Sequence, residues 1–272
     1  SKPKWGEQNG NNTLNDYVEG TPRRKLIEAK TELIKIISKV GGGRVENLGD
    51  QQDASDFINS LLDIINNVGL LSNLYTVKLT DDIYCKNSKN GKILDNINEI
   101  QPSNLISISF NKKENITNAI KEMVKEEQIP VDDDGNTIER CDLLKKAITD
   151  IEIDSYKKIS LTIPEANKYI IISLNRFEPT SDNKSLKRVT DDYFKVEEEV
   201  VIDGKNFSLT GAVLHHGLTT NSGHYIYQTY NNNGEVKNTY DDDKLESGTK
   251  TTYNMTLNLN SYVLLYKRVE GE

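Results

Sequence analysis

The sequence predicts an α+β fold in which helices dominate the first third of the chain and strands dominate the rest. Residues 24–40 carry apolar side chains at helical spacing, and the glycine run 41–43 ends this pattern. A second helical pattern follows Gln51, with apolar residues again three and four positions apart. Beyond Ile151 most segments alternate apolar and polar residues, which is typical of strands. We therefore expect a helical lobe packed against a sheet lobe.

The middle of the chain contains shorter predicted elements. Alternating strands are expected over 74–110, interrupted by an Asn- and Lys-rich turn at 87–91. A helix is predicted over 116–127, and an Asp-rich turn over 131–136. This turn resembles a calcium-binding loop only superficially, because Leu143 stands where the twelfth position of such a loop requires glutamate.

Composition limits the classes of function. The chain has 272 residues with 35% hydrophobic content, and no apolar run approaches the roughly 20 residues of a membrane helix. Its net charge of −8 argues against general nucleic-acid binding, since phosphate contacts need clustered Lys and Arg. No secretory signal or basic targeting segment is evident. We expect an intracellular protein, cytoplasmic or nuclear, or one that is delivered into the cytoplasm of a host cell.

A histidine and an aspartate near the C-terminus suggest a general base with its orienting acid. The strand-like residues 207–214 precede His224, and a second strand, 225–230, leads to a hairpin turn at 231–234. A third strand would then return Asp241 to the side of His224. A carboxylate in that place fixes the imidazole tautomer and stabilises the imidazolium as it forms. On spacing alone, an ordinary loop histidine and a solvated acidic turn are the more frequent outcome.

Several sequence blocks resemble those of the ubiquitin-specific proteases, and they occur in the order of that family. The blocks are 51–63, 164–177, 222–225 with 240–243, and 262–268. The resemblance implies a papain-like fold for residues 1–272 as a single domain. Its parts would be a helical thumb at about 1–70, reduced fingers at about 71–160 and a β-rich palm at about 161–272.

The resemblance also implies a chemistry and a partner. In these proteases a cysteine thiolate attacks the carbonyl after the terminal Gly-Gly of ubiquitin. Here His224 would shuttle the proton and Asp241 would orient the ring. The tail of the substrate would contact Gln51, Asp53, His216 and Tyr225. The implied partner is ubiquitin or a ubiquitin-like protein, and no cofactor is implied.

The chain departs from the family at the nucleophile. Alignment on Thr21 and Pro22 places the cysteine position near Asn9, and an amide cannot be deprotonated to attack an acyl carbon at neutral pH. Glu7 falls near the amide that serves the oxyanion in the family, where a carboxylate would repel the developing negative charge. No cysteine precedes Cys85. Both departures point to a catalytically silent domain.

The two cysteines fall where the resemblance expects the zinc-binding knuckles of the fingers. Neither Cys85 nor Cys141 has a second cysteine three positions further on, so we expect no zinc there. Two cysteines in unrelated surroundings do not indicate a disulfide framework, and we expect buried free thiols in a reducing compartment. His215 and His216 are unsuited to share a metal, because neighbours in a strand point to opposite faces. We therefore expect no metal site.

Three functions stay open. The first is a catalytically silent domain that binds ubiquitin or a ubiquitin-like protein, or that acts as a scaffold in a larger assembly. The second is an active thiol deubiquitinase whose nucleophile is replaced in this sequence or comes from a segment that it lacks. The third is a protein interaction domain without ubiquitin binding. A single groove lined by the four tail-binding candidates would favour the first over the third.

Overall fold

The computed structural model describes residues 32, 53–67, 72–109, 114–130, 139–148, 152–179, 186–189, 194–219, 222–242, 244–247 and 253–270. The chain divides into two compact units, residues 1–50 and 51–272. In the first unit only Glu32 is described, and it is helical. The rest of the helix predicted over 24–40 and the turn predicted over 131–136 lie outside the described residues.

The second unit combines short helices with long strands. Its described helices are α1 (Ala54–Asn67), α2 (Ser72–Tyr75), α3 (Ile116–Met123), α4 (Glu139–Ala147) and α5 (Tyr253–Asn260). Its described strands are β1 (Val77–Asn87), β2 (Ile93–Ser103), β3 (Ile106–Ser109), β4 (Glu127–Gln128), β5 (Ile153–Thr162), β6 (Tyr169–Asn175), β7 (Phe177–Pro179), β8 (Leu186–Arg188), β9 (Glu199–Ile202), β10 (Lys205–Thr219), β11 (Ser222–Tyr230), β12 (Val236–Asp241), β13 (Lys244–Ser247) and β14 (Ser261–Arg268). The predominance of strands after Ile151 is confirmed.

Helix α1 is the helix predicted to follow Gln51. Asp53 caps its N-terminus, because its Oδ1 accepts hydrogen bonds from the backbone N–H groups of Ser55 (2.7 Å) and Asp56 (3.1 Å). Ile58 lies on the apolar face of the helix and packs against the buried residues of β14 and β7. The cap and the apolar face together fix where α1 begins and which side it turns to the main sheet.

A four-stranded antiparallel sheet, counted over the described residues, has the order β2, β1, β5, β4. Strands β1 and β2 have eleven residues each, and the turn predicted at 87–91 joins them. The first residues of the predicted strand region form helix α2 instead. Strand β2 lies at the edge of the sheet and exposes Ile93, Ile97 and Ile100.

Helix α4 is attached to this sheet by a disulfide between Cys85 in β1 and Cys141. Both side chains are buried and pack with Ile153, with Leu94 and Leu144 partly buried against them. The prediction of buried cysteines is confirmed, but the prediction of free thiols is wrong. The fold brings together two residues that are 56 positions apart, and their local sequences carry no sign of this.

The main sheet runs β13, β12, β11, β10, β14, β6, β3 through the described residues, with β7, β8 and β9 paired outside that path. Strand β3 pairs with β6 in parallel, and the other strand pairs of this sheet, within the described residues, are antiparallel. Strands β6 and β14 are interior strands, and their near-continuous apolar runs supply Ile170, Ile172, Leu264 and Tyr266 to the core.

Helix α3 begins at Ile116, as predicted, but ends at Met123. Asn115 caps it, with its Oδ1 accepting from the backbone N–H of Asn118 at 2.8 Å. Its predicted last turn is absent because Glu127 belongs to β4, which pairs with β5. Helices α4 and α5 are not predicted by the sequence, since each has few apolar residues at helical spacing. None of the helices within the described ranges has the length and apolarity to cross a membrane.

Candidate active site

Two consecutive hairpins place the predicted base and acid at one end of the main sheet. Strand β11 pairs with β10 on one side and with β12 on the other. The turn predicted at 231–234 joins β11 to β12: Oδ1 of Asn231 accepts from the backbone N–H of Glu235 at 2.9 Å, and Gly234 has a φ of +73°. Strand β12 therefore returns Asp241 to the beginning of β11.

His224 and Asp241 lie side by side. Nε2 of His224 is 2.5 Å from Oδ1 of Asp241, although 17 positions separate the two residues. Their side chains are 47% and 41% exposed, so the ring is open to solvent. With the carboxylate ionised, Nε2 carries the hydrogen, and Nδ1 keeps the lone pair that accepts a proton. Within the described part of the chain, Asp241 is the only hydrogen-bond partner of this ring.

Gly223 determines how closely β11 approaches β10 at the site. Its φ of +149° is a conformation that residues with a Cβ rarely adopt. A Cβ at this position would collide with Nε2 of His215 and would lie 2.8 Å from the backbone oxygen of His216. The pairing register also shifts between His216 and Thr219. Both the backbone conformation and the close packing therefore require glycine immediately before His224.

The adjacent histidines of β10 lie on opposite faces of the sheet, as predicted. His215 is 1% exposed, and its ring centroid is 4.5 Å from that of Tyr225. Burial, together with the nearby positive charge of Arg188, holds the pKa of His215 below its usual value, so the ring is neutral. His216 is exposed and lies directly opposite His224 in the β10–β11 pair.

Two predicted tail-binding residues, Asp53 and Tyr225, belong to a partly buried cluster at the N-terminus of α1. One carboxylate oxygen of Asp53 caps the helix, and the other accepts a hydrogen bond from the hydroxyl of Tyr262. Burial and this carboxylate raise the pKa of Tyr262. Tyr225 packs on His215 and on Tyr262, with ring centroids 4.5 Å and 6.1 Å apart, and burial raises its pKa to about 12. Asp53 and Tyr225 therefore hold α1 against the sheet beside the predicted site.

The predicted nucleophile position at Asn9, the predicted oxyanion position at Glu7 and the tail-binding candidate Gln51 lie outside the described residues. The structure brings His224 together with Asp241 and His216, and it brings Asp53 together with Tyr225. The tail-binding roles of these residues stay predictions.

Arg188 is a neighbour of the candidate site that the sequence does not predict. Its guanidinium is buried, and Nη1 donates to the backbone oxygens of His215 (2.6 Å) and Gly217 (3.2 Å). Nη2 donates to the backbone oxygen of Leu259 at the end of α5. Burial lowers the pKa of Arg188. One cation thus connects α5 to the β10 segment that lies opposite His224.

Arg176 makes a second connection to the same helix end. It is 1% exposed, and Nη2 donates to the backbone oxygen of Asn258 (2.5 Å) and to Oγ of Ser261 (2.9 Å). Two guanidinium groups therefore satisfy the last carbonyls of α5 and complement the negative end of its dipole. An arginine that ends an apolar strand is visible in sequence, but its partners, more than eighty positions away, are not.

Comparison with known proteins identifies the family. The family model described as ubiquitin carboxyl-terminal hydrolase matches residues 14–266, a span that includes both His224 and Asp241. The chain belongs to the ubiquitin carboxyl-terminal hydrolase family. The resemblance to the ubiquitin-specific proteases and the α+β papain-like fold that it implies are confirmed. No curated protein sequence matches this family member.

Solved structures share the fold of this hydrolase-family chain. A chain of the SAGA DUB module with a Ubp8 variant, Sgf11, Sus1 and Sgf73, bound to monoubiquitin, matches with a TM-score of 0.66 and 18% identity, over 92% of this chain and 54% of that one. A chain of the Ubp8/Sgf11/Sus1/Sgf73 module bound to ubiquitin aldehyde matches with a TM-score of 0.65 and 17% identity, over 90% and 55%. At such identities the likeness establishes the fold alone. This chain spans about half the length of the solved chains that it matches.

Proposed function

We propose that this member of the ubiquitin carboxyl-terminal hydrolase family is a catalytically silent domain that binds ubiquitin or a ubiquitin-like protein. One observation carries the proposal: a base and its orienting acid are assembled at 2.5 Å, while the two cysteines of the chain are joined to each other. A thiolate mechanism needs a reduced cysteine beside the base. Cys85 and Cys141 instead pack with Ile153 in a separate apolar cluster.

The residues aligned with the nucleophile support the same reading. Asn9 offers an amide, which does not ionise to attack a carbonyl at neutral pH. Glu7 would place a carboxylate near the developing oxyanion, where it destabilises the transition state. A chain with these residues keeps a base that has no thiol to activate.

Binding does not require the missing thiol. An extended tail binds largely through main-chain hydrogen bonds, which form without a nucleophile. The solved relatives were captured with monoubiquitin and with ubiquitin aldehyde, which supports ubiquitin as the partner. The relatives are also held with Sgf11, Sus1 and Sgf73, which supports a scaffold role inside a larger assembly. We assign contacts with the tail to Gln51, Asp53, His216 and Tyr225.

The geometry of the dyad favours one second candidate, an active thiol deubiquitinase. The close contact between His224 and Asp241 is the arrangement that a working base needs. In this alternative the nucleophile is replaced in this sequence or is supplied from outside it. Cleavage would then follow the terminal Gly-Gly of ubiquitin.

A turnover measurement distinguishes the catalytically silent domain from the active thiol deubiquitinase. The chain is incubated with ubiquitin that carries a C-terminal fluorophore, beside an Asn9→Cys variant and an Asn9→Cys/His224→Ala variant. We expect the unsubstituted chain to be silent, and Asn9→Cys to gain slow turnover that is lost with His224→Ala. Turnover by the unsubstituted chain that persists in a Cys85→Ala/Cys141→Ala variant would overturn the silent assignment.

A binding measurement tests the partner. The unsubstituted chain is titrated with ubiquitin and with ubiquitin that lacks its last two glycines. We expect saturable binding of the complete protein and binding at least about tenfold weaker without the tail, since each 1.4 kcal/mol of lost contact is tenfold in affinity. If neither protein binds, the remaining candidate function is that of a protein interaction domain that does not bind ubiquitin.

A further inference from the structure

The chain contains three histidines, and the fold places two of them opposite each other on neighbouring strands. His215 is buried in the aromatic cluster beside Tyr225. His216 and His224 are both exposed and are direct partners in the antiparallel pair of β10 and β11. Directly opposite side chains project from the same face with Cβ atoms about 4.5–5.5 Å apart. Both imidazoles can therefore reach a common point.

Two carboxylates converge on the same place. Neighbouring residues of a regular strand point to opposite faces, which would separate Asp241 from Asp242. Asp242 instead has a φ of +53° in the turn after β12. As a result, a ring nitrogen of His224 and carboxylate oxygens of Asp241 and Asp242 all lie within 4.8 Å of one another. One imidazole and two carboxylates thus share a small volume beside a second imidazole.

We propose that these four side chains bind a divalent transition metal ion, with Zn²⁺ as the best-fitting ion. The His₂Asp₂ site consists of His216, His224, Asp241 and Asp242. Imidazole nitrogen and carboxylate oxygen are ordinary zinc ligands at about 2.0–2.2 Å, whereas Mg²⁺ and Ca²⁺ prefer oxygen alone. Adjacent histidines on β10 do not share a metal; the strand register pairs His216 with the histidine of the next strand instead.

Binding requires the exposed ring of His216 to turn toward the other three ligands, which already lie close together, and a small opening of the dyad. Two ligands of a tetrahedral zinc lie about 3.4 Å apart, so the contact between His224 and Asp241 must open by about 0.9 Å from 2.5 Å. Both side chains are more than 40% exposed and can turn without displacing packed neighbours. The ion takes the place of the proton that the two groups share. The His₂Asp₂ site gives the retained dyad a role that needs neither a nucleophile nor ubiquitin, and it goes beyond the proposed function.

Direct titration tests the site. The tag-free, metal-free chain is titrated with Co²⁺, followed by visible absorption, and with Zn²⁺, followed by calorimetry. We expect saturable binding of one ion per chain, without the thiolate charge-transfer band that cysteine ligands produce. Asp242→Asn and His216→Gln should each weaken binding at least about tenfold, and His224→Ala should abolish it. Glu246→Gln, which removes an exposed negative charge from neighbouring β13, is the matched control and should bind as the unsubstituted chain does.

Two results would overturn the proposal. One is the absence of saturable binding of either metal, and the other is binding that Asp242→Asn, His216→Gln and His224→Ala leave unchanged. Nuclear magnetic resonance of the unsubstituted chain keeps the test decisive where a variant fails to fold. Zn²⁺ should shift the ring signals of His216 and His224 and leave those of buried His215 in place. A shift at His215 alone, or at none of the three rings, would count against the site.

Discussion

The hydroxyl of Tyr262 donates a hydrogen bond to the carboxylate of Asp53, 209 positions earlier in the chain. The other oxygen of this carboxylate caps α1 through the N–H groups of Ser55 and Asp56. One side chain therefore holds the first turn of α1 and fixes it to β14, an interior strand of the main sheet. The aromatic cluster around His215 fills the space between them.

Loss of this bond should destabilise the fold measurably. We expect Tyr262→Phe to lower the free energy of unfolding by about 1.5–3 kcal/mol, because the bond has a charged acceptor and Asp53 stays partly buried. Denaturant titration measures the change. Tyr240→Phe, which removes a hydroxyl from an exposed ring, is the control and should have little effect. Equal losses of unfolding free energy in both variants would show that the hydrogen bond to Asp53 does not contribute to stability.

Substitution of Gly223 should cost more than substitution of another glycine with a positive φ. In Gly204→Ala the φ of +69° is unfavourable, but the new Cβ meets open space. In Gly223→Ala the same kind of strain is joined by collision with His215, which adds about 1–3 kcal/mol. Thermal unfolding of both variants measures the difference. A melting temperature for Gly223→Ala equal to that of Gly204→Ala would show that the backbone relaxes without cost.

The buried histidine should make stability depend on pH. The pKa of His215 is lowered in the folded protein, so below pH 6.5 the unfolded chain binds a proton that the folded chain does not. Its contribution to stability is therefore present above pH 6.5 and is lost as the pH falls through the lower, folded-state value. We expect a loss of up to about 1.4 kcal/mol per pH unit in this window. Denaturant titrations between pH 7 and pH 5 measure the slope, and His215→Gln should flatten it. An unchanged slope in His215→Gln would assign the effect to other groups.

Reduction of the disulfide should loosen α4. Closing a loop of 56 residues contributes about 4 kcal/mol when the effect is treated as chain entropy. Among the described residues, Ile153 is fully buried with the two cysteines, whereas Leu94 and Leu144 are partly buried against them, so the apolar cluster that holds the helix to the sheet is small. Unfolding with and without a reductant measures the loss, and hydrogen exchange over 139–147 locates it. A Cys85→Ala/Cys141→Ala variant should not respond to the reductant, and a response in that variant would contradict the assignment.

Removal of the buried guanidinium should affect the strand opposite His224. Arg188→Met leaves the backbone oxygens of His215 and Gly217 without their donor, at a cost on the order of 3 kcal/mol. Arg188→Lys keeps the charge but loses the planar fork, so it should be intermediate. Thermal unfolding ranks the stabilities of the unsubstituted chain, Arg188→Lys and Arg188→Met. Full stability in Arg188→Met would mean that water or a rearranged backbone replaces the arginine.

Local chemistry explains the parts of the fold that the sequence predicts. The hairpin turn at 231–234 needs only the local geometry of Asn and Gly, and α1 needs only a cap and an apolar face. The opposite faces of His215 and His216 follow from the two-residue repeat of a strand. Each of these features depends on residues within a few positions of one another, so their spacing in the sequence is sufficient to predict them.

Most features that the sequence does not predict are long-range. The disulfide of Cys85 with Cys141 and the contact of Arg188 with Leu259 join segments that the fold alone brings together. The same holds for His216, whose partner His224 is set by strand register and not by spacing. The convergence of Asp241 and Asp242 depends on the left-handed conformation of Asp242, which non-glycine residues adopt infrequently.

The position of β14 bears on how this chain can be synthesised. It is the last of the described strands along the sequence, yet it lies between β10 and β6. While a ribosome is still adding residues 261–268, the apolar side chains of β6 have no neighbour on that side, and a partly made chain exposes them to chaperones and to other nascent chains. Completion of the sheet must wait for residues 261–268 to emerge. A premature stop before Ser261 would therefore remove an interior strand of the sheet and not an edge strand.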